Sequence, residues 1–251
     1  MAVRNIKLTV QYDGSRYHGW QIQPGKKTIQ GELVEALSNL VGVRTNVHGA
    51  SRTDAGVSAL GQVALFEIYS PIPTENFAAV INGRLPRDIV VTAAEEVPPK
   101  FDLLGDVKSK LYRYTIYTGR HRPVLRLNQC WHIPKKLNVA AMNQAGQLLV
   151  GTKDFKSFAS AADKREDTVR TIFSCDVTRG QASENDWMYI DVEGDGFLYN
   201  MVRNIVGTLV EIGLGKWRPA KINEILEAED RTAAGPLAPA HALCLMWIKY
   251  A

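Results

Sequence analysis

Cysteine is scarce in this chain of 251 residues: Cys130, Cys175 and Cys244 are odd in number and far apart. Without a C-x-x-C pair, neither a disulfide framework nor a zinc site is indicated, and each thiol is expected to pack as a small apolar residue. The histidines (His18, His48, His121, His132 and His241) also lack metal-ligand spacing, so no metal is expected. Long apolar runs are missing too. The best candidate, Phe197 to Leu214, is broken by Asn200, Arg203, Asn204 and Glu211, so no membrane span is expected. Met1 to Val10 alternates polar and apolar residues and lacks the apolar centre of a signal peptide, which makes a cytoplasmic protein the expectation. A G-x-x-x-x-G-K-S/T phosphate loop is absent, as is a dinucleotide fingerprint after a strand. Asp191 to Gly196 mimics the start of an EF-hand, but its twelfth position is Val202 and a strand precedes it.

What remains is an ordinary globular composition, 45% hydrophobic and 22% charged, long enough for one large domain or two small halves. The net charge of +4 is small, but its distribution is uneven. Between Lys100 and Lys136 stand Lys100, Lys108, Lys110, Arg113, Arg120, Arg122, Arg126, Lys135 and Lys136, against Asp102 and Asp106 alone. A basic stripe on a nearly balanced protein points to a polyanion partner, with a solvated face as the plain alternative. Tyr112, Tyr114, Tyr117 and Trp131 lie among these charges, and aromatics in basic surface can stack on bases.

The periodicity predicts an α+β chain. Ile6, Leu8, Val10 and Tyr12 alternate as a half-buried strand that ends at Asp13-Gly14-Ser15. Thr28 can cap a helix with Ile29, Leu33, Leu37 and Leu40 on one face and Gly42 as its stop, and Thr74 a second with Phe77 and Ile81. Strands are expected at Val63–Phe66, Ile89–Thr92, Leu111–Thr118, Ile172–Thr178, Trp187–Val192 and Leu243–Ile248. Helices are expected at Val139–Val150, from about Phe197 to Gly213, and after Pro219. Leu198, Met201, Val202, Ile205, Leu209 and Ile212 form one apolar stripe, with Arg203 towards its flank. Each half holds strands plus helices in a similar order, which hints at a duplicated unit, residues 1–105 and 106–251, around a mixed sheet.

One segment carries candidate chemistry. Ala50 to Val63 places Asp54 beside Arg52 and Thr53 among small residues, which let a backbone approach a bulky ligand. By itself Asp54 reads as a turn aspartate. An aspartic protease is excluded, because the hydroxyl residue comes before the acid and no second copy exists.

Taken together, the segments resemble the tRNA pseudouridine synthase A-type enzymes. Ser51-Arg52-Thr53-Asp54-Ala55-Gly56-Val57 matches the G-R-T-D-x-G-V-H signature, with Ser51 at the glycine and Ser58 where histidine is usual. Lys110-Leu111-Tyr112-Arg113-Tyr114 resembles the R-x-Y-R-Y strand, and Phe197 to Gly207 the F-L-x-x-M-V-R-x-I-V-G helix. Further matches are Asn82 to Pro86, Asp154 to Phe158, Arg170 to Ile172 and Ala238 to Leu243, all in collinear order. The resemblance implies the pseudouridine synthase fold: α+β, a mixed and mainly antiparallel central sheet flanked by helices, two pseudo-duplicated halves and a central cleft. It implies isomerisation of uridine to pseudouridine in the tRNA anticodon stem-loop, at tRNA positions 38, 39 and 40, by a homodimer without cofactor or metal. It also implies that Asp54 is the nucleophile, that Tyr112 stacks on the target base, and that Arg203 pairs with Asp54. Leu243 would line the uracil pocket and Arg52 would help to displace the base. A non-catalytic RNA-binding protein on the same fold is the alternative.

Overall fold

A computed structural model of the chain describes residues 3–181 and 184–250; the tip of the expected turn between Arg179 and Asp186 lies partly outside them. Ten strands and five α-helices follow one another along the described residues. The first strand, β1 (Arg4–Tyr12), buries Ile6, Leu8, Val10 and Tyr12 on one face, as their alternation requires. Helix α1 (Ile29–Val41) begins where the Thr28 hydroxyl accepts the Gly31 amide at 3.3 Å and ends at a left-handed Gly42. Strands β2 (His48–Gly49) and β3 (Ser58–Ile68) flank the Asp54 loop. Helix α2 (Phe77–Asn82) and strand β4 (Ile89–Val97) complete the first part. Thr74 does not cap α2. Its hydroxyl accepts from Arg4 Nη2 at 2.6 Å, and a 3₁₀ turn, Thr74–Asn76, leads into the helix.

The second part holds β5 (Val107–Tyr117), β6 (Trp131–His132), α3 (Val139–Gln147), β7 (Gly151–Asp154), β8 (Val169–Arg179), β9 (Trp187–Gly194), α4 (Met201–Gly213), α5 (Lys221–Ala228) and β10 (Leu243–Tyr250). Two compact units result: residues up to Lys108 together with those from Cys244 onward, and Ser109–Leu243. The sequence divided the chain at residue 105 and kept the last strand with the second half. Periodicity identifies a strand but not the sheet edge that satisfies its backbone groups.

In the first unit the strand order is β4-β1-β3-β10. β1 runs antiparallel to both β3 and β4, whereas β10 is parallel to β3, with Cys244 opposite Ser58 and Leu245 opposite Ala59. In the second unit the order is β5-β9-β8-β7, antiparallel throughout, and β6 adds a short parallel pairing to β5. The fold is therefore α+β with mixed, mainly antiparallel sheet, as expected.

Helix α4 departs most from the sequence reading. It starts at Met201 rather than Phe197, because Asn200 takes a left-handed backbone (φ 62) that ends helical propagation in the N-terminal direction. It is also buried almost all round: Arg203 and Glu211 alone of its thirteen residues are not buried. A helix sunk this deeply needs its polar groups met internally. Asn204 Nδ2 donates to the Phe158 carbonyl at 2.7 Å, and the Thr208 hydroxyl donates to the Asn204 carbonyl and accepts the Gly235 amide. Gly207 permits the contact, since a Cβ there would stand 1.7 Å from the Pro236 carbonyl oxygen. Truncating the fully buried Leu209 to alanine would cost roughly 2–5 kcal/mol.

Candidate active site

The Asp54 loop is fixed from both sides by buried polar groups of the first unit. Gln62, fully buried on β3, donates from Nε2 to the Ser51 carbonyl at 2.7 Å and accepts the Ser51 amide at Oε1, 3.2 Å. The Thr53 hydroxyl is 2.8 Å from the Tyr12 hydroxyl, and the Thr53 carbonyl accepts the Trp20 amide at 3.0 Å. The Val57 amide donates to the Asp54 carbonyl at 3.1 Å, closing a turn whose third residue, Gly56, has φ +83. That value marks a type II turn, which demands glycine or asparagine there. Asp54 thus sits half-buried at a rigid tip between buried Thr53 and exposed Ala55, with Arg52 exposed beside it. Ser58, which stands where the family has histidine, accepts the Gly14 amide at 3.1 Å. Gln62 was not singled out from the sequence, although a lone amide in Leu60-Gly61-Gln62-Val63-Ala64-Leu65 is the signal that could have found it.

In the second unit Tyr112 is buried on β5 opposite Val192. Its ring meets the edge of Phe197 at 5.3 Å between centroids and an interplanar angle of 90°. Such T-shaped pairs are favoured by ring quadrupoles. Arg203 lies in the first turn of α4. It donates from Nη1 to Asn200 Oδ1 at 2.8 Å and from Nε to the Ala238 carbonyl at 2.8 Å, and its own carbonyl accepts the Ala238 amide. The Tyr114 hydroxyl donates to the Pro239 carbonyl at 2.9 Å, and His241 Nε2 is 3.0 Å from the Cys130 carbonyl. These bonds fix the 238–241 segment that leads to buried Leu243. Tyr112, Arg203 and Leu243 are therefore joined through Phe197, Asn200 and Ala238. Periodicity placed Arg203 towards the flank of the apolar stripe, and the structure makes it a partly buried anchor.

The basic stripe separates into two kinds of cation. Arg113 makes a bidentate pair with Asp191 across β5 and β9, and Arg126 stacks 3.8 Å over the Trp187 ring while reaching Glu184. Lys110 is largely buried, and that burial lowers its pKa from the usual 10.5 to about 8. Arg120, Arg122, Lys135 and Lys136 are exposed. The interleaved aromatics are less available than the sequence suggested. Tyr114 is fully buried edge-on to Trp131, and Tyr117 packs on Trp187 at 4.7 Å. Among the described residues no group of three or more His, Cys, Asp or Glu is placed to hold a metal ion, and no helix is long and apolar enough to cross a membrane.

Comparison with known proteins identifies the family. Residues 8–103 and 145–251 match the sequence model of a family described as tRNA pseudouridine synthase. The chain is 42% identical over 248 residues to tRNA pseudouridine synthase A of Caldicellulosiruptor saccharolyticus, covering 99% of this chain and 100% of that protein. It is 44% identical to the protein of the same name from Ruminiclostridium cellulolyticum, with the same coverage. It is also 44% identical to that of Geobacillus kaustophilus, over 98% of this chain and 95% of the relative.

Proposed function

The chain belongs to the tRNA pseudouridine synthase family, and we propose that it isomerises uridine at positions 38, 39 and 40 of the tRNA anticodon stem-loop. The reaction class accounts for the residue types. The bond from N1 of uracil to ribose C1′ breaks, the base turns, and C5 bonds to C1′. The C5 proton is lost and N1 gains one, so no atom enters or leaves overall. A carboxylate nucleophile can hold one fragment covalently while the base reorients.

Asp54 is the nucleophile in this reading, Arg203 keeps it ionised, and Tyr112 stacks on the target uracil and assists proton removal from C5. Leu243 lines the base pocket. Arg52 helps to displace the target base, because chemistry on a stacked base requires it to be flipped out. The enzyme acts in the cytoplasm as a homodimer, each tRNA touching both subunits. The observation that carries the reading is the anchored Asp54 turn. Ser51 and Thr53 are each tied to buried side chains, so the backbone that carries Asp54 is fixed. A fixed turn lowers the cost of orienting a reacting group.

The test is incubation of purified protein with unmodified tRNA transcript, followed by chemical mapping of pseudouridine. Modification confined to the three neighbouring positions is expected. Tight tRNA binding with no pseudouridine would overturn the enzymatic reading and leave an RNA-binding protein on the same fold.

A further inference from the structure

The turn formed by residues 197–200 carries both groups that orient the site in the second unit: Phe197 against Tyr112, and Asn200 against Arg203. It is held by residues 160–165, a segment outside every motif noted in the sequence. Asp163 Oδ2 accepts the Tyr199 amide at 2.8 Å. The Ser160 amide donates to the Tyr199 carbonyl at 2.9 Å, and Arg165 Nη1 donates to the Phe197 carbonyl at 3.3 Å. Asp163 and Arg165 also lock each other. Arg165 Nε reaches Oδ1 at 2.9 Å, Nη2 reaches Oδ2 at 2.6 Å, and the Arg165 amide reaches Oδ1 at 3.2 Å. The Asp163 side chain is 6% exposed and that of Arg165 46%.

We propose that the Asp163–Arg165 pair is a positioning device for the isomerisation: it fixes the 197–200 turn and, through Phe197 and Asn200, sets the Tyr112 ring and the Arg203 guanidinium. The proposal rests on the reading of Tyr112 and Arg203 as site residues. Asp163 and Arg165 act through the turn, so they are positioning residues. A fork-to-fork Arg–carboxylate pair supplies geometric definition, which a single point charge would not. The carboxylate is always ready for it, since hydrogen bonds from Arg165 hold Asp163 well below the usual carboxylate range. The left-handed Asn200 makes the constraint useful. A turn in that conformation has alternatives, and an external clasp selects one of them.

The experiment compares Asp163→Ala, Asp163→Asn, Arg165→Ala and Arg165→Lys with wild type in kcat, KM and thermal melting on a tRNA substrate. Asp163→Ala and Arg165→Ala are expected to lose about 10- to 100-fold in kcat, the scale of a small misplacement of reacting groups, with KM little changed. Asp163→Asn and Arg165→Lys keep part of the bonding and should recover part of the rate. Asp230→Ala is the control: it removes a carboxylate that bonds Thr232 in the same unit and touches no site residue, so kcat should stay at the wild-type level. Arg165 is half-exposed, so Arg165→Ala keeps the test open if Asp163→Ala fails to fold. Unchanged kcat, a loss confined to KM, or an equal loss in Asp230→Ala would overturn the clasp. Tyr112→Leu, which removes the ring, and Arg203→Met, which removes the charge, measured in parallel separate the two ideas. If both turn over like wild type, the site reading fails; if they are impaired while the clasp variants are not, the clasp alone fails.

Discussion

Gln62 closes a two-bond ring on Ser51, its amide nitrogen donating to the Ser51 carbonyl at 2.7 Å and its amide oxygen accepting the Ser51 amide at 3.2 Å. The ring is wholly buried, so neither main-chain group has water to fall back on. Gln62→Leu would remove both of these bonds. The expected loss is roughly 2–6 kcal/mol of stability, taking about 1–3 kcal/mol for each main-chain group that loses its Gln62 partner, read from denaturant unfolding. Turnover should fall further than the folded fraction does, because the same ring fixes the residue three before Asp54. A variant as stable and as active as wild type would show that the ring neither stabilises nor positions.

Asp54→Asn keeps the size of the side chain at the tip of the turn but cannot act as an anionic nucleophile. Pseudouridine formation should be lost while tRNA affinity changes by less than about threefold, since the substitution removes no cation that meets phosphate. Filter binding and pseudouridine mapping on the same preparation check both halves. Appreciable turnover by Asp54→Asn would remove Asp54 from the role.

Lys110 gives a pH test. Its folded pKa of about 8 lies below the ordinary 10.5, so between these values the unfolded chain binds more protons than the folded one. Stability contributed by this group therefore rises with pH across that window and is lowest below it, where a buried cation must be carried. Lys110→Met removes the titration. The melting temperature of wild type minus that of the variant should climb between about pH 8 and pH 10.5 and be flat at lower pH. A flat difference throughout would mean that Lys110 titrates alike in both states.

The sequence foretold the parts that follow from local rules. Thr28 and Gly42 bound α1 because a hydroxyl cap and a left-handed glycine are local chemistry, and β1 alternates because one face is wet. Tertiary contacts were not legible in this way. Thr74 has the right chemistry for a cap, yet Arg4, seventy residues away in sequence, claims its hydroxyl. The periodic stripe from Leu198 to Ile212 marked one apolar face, whereas nearly every face of α4 is covered. The motif residues Asp54, Tyr112 and Arg203 were visible by resemblance, but Gln62, Asp163 and Arg165, which bond the segments carrying them, belong to no motif.

Salt dependence should distinguish the two kinds of cation in the basic stripe. Arg120 and Arg122 are exposed, whereas Arg126 is engaged with Trp187 and Glu184. Each phosphate contact contributes roughly 0.7–0.9 to the slope of log affinity against log salt. Arg120→Ala combined with Arg122→Ala should therefore flatten that slope by about 1.5 and leave melting unchanged. Arg126→Ala should lower the melting temperature and alter the slope less. Identical slopes for the double variant and wild type would place Arg120 and Arg122 away from the RNA.

Tyr112 can be tested for ring and hydroxyl separately. Its ring is buried against Phe197, so Tyr112→Ala would open a cavity costing about 3–5 kcal/mol, and lost binding in that variant would be confounded with lost stability. Tyr112→Phe keeps the T-shaped contact and the stacking face while removing the one group able to take a proton. It should bind tRNA as wild type does and lose at least about tenfold in kcat, equivalent to about 1.4 kcal/mol of transition-state stabilisation. Tyr112→Leu fills most of the volume but offers no π-face, so it should weaken tRNA binding by roughly 1–3 kcal/mol, the range for one base–aromatic stack. If Tyr112→Phe turned over at the wild-type rate while Tyr112→Leu bound weakly, the hydroxyl would have no part in proton transfer and the ring alone would account for the residue. If both variants bound and turned over normally, Tyr112 would be a core tyrosine of β5, and the base-stacking role would have to be sought elsewhere in the chain.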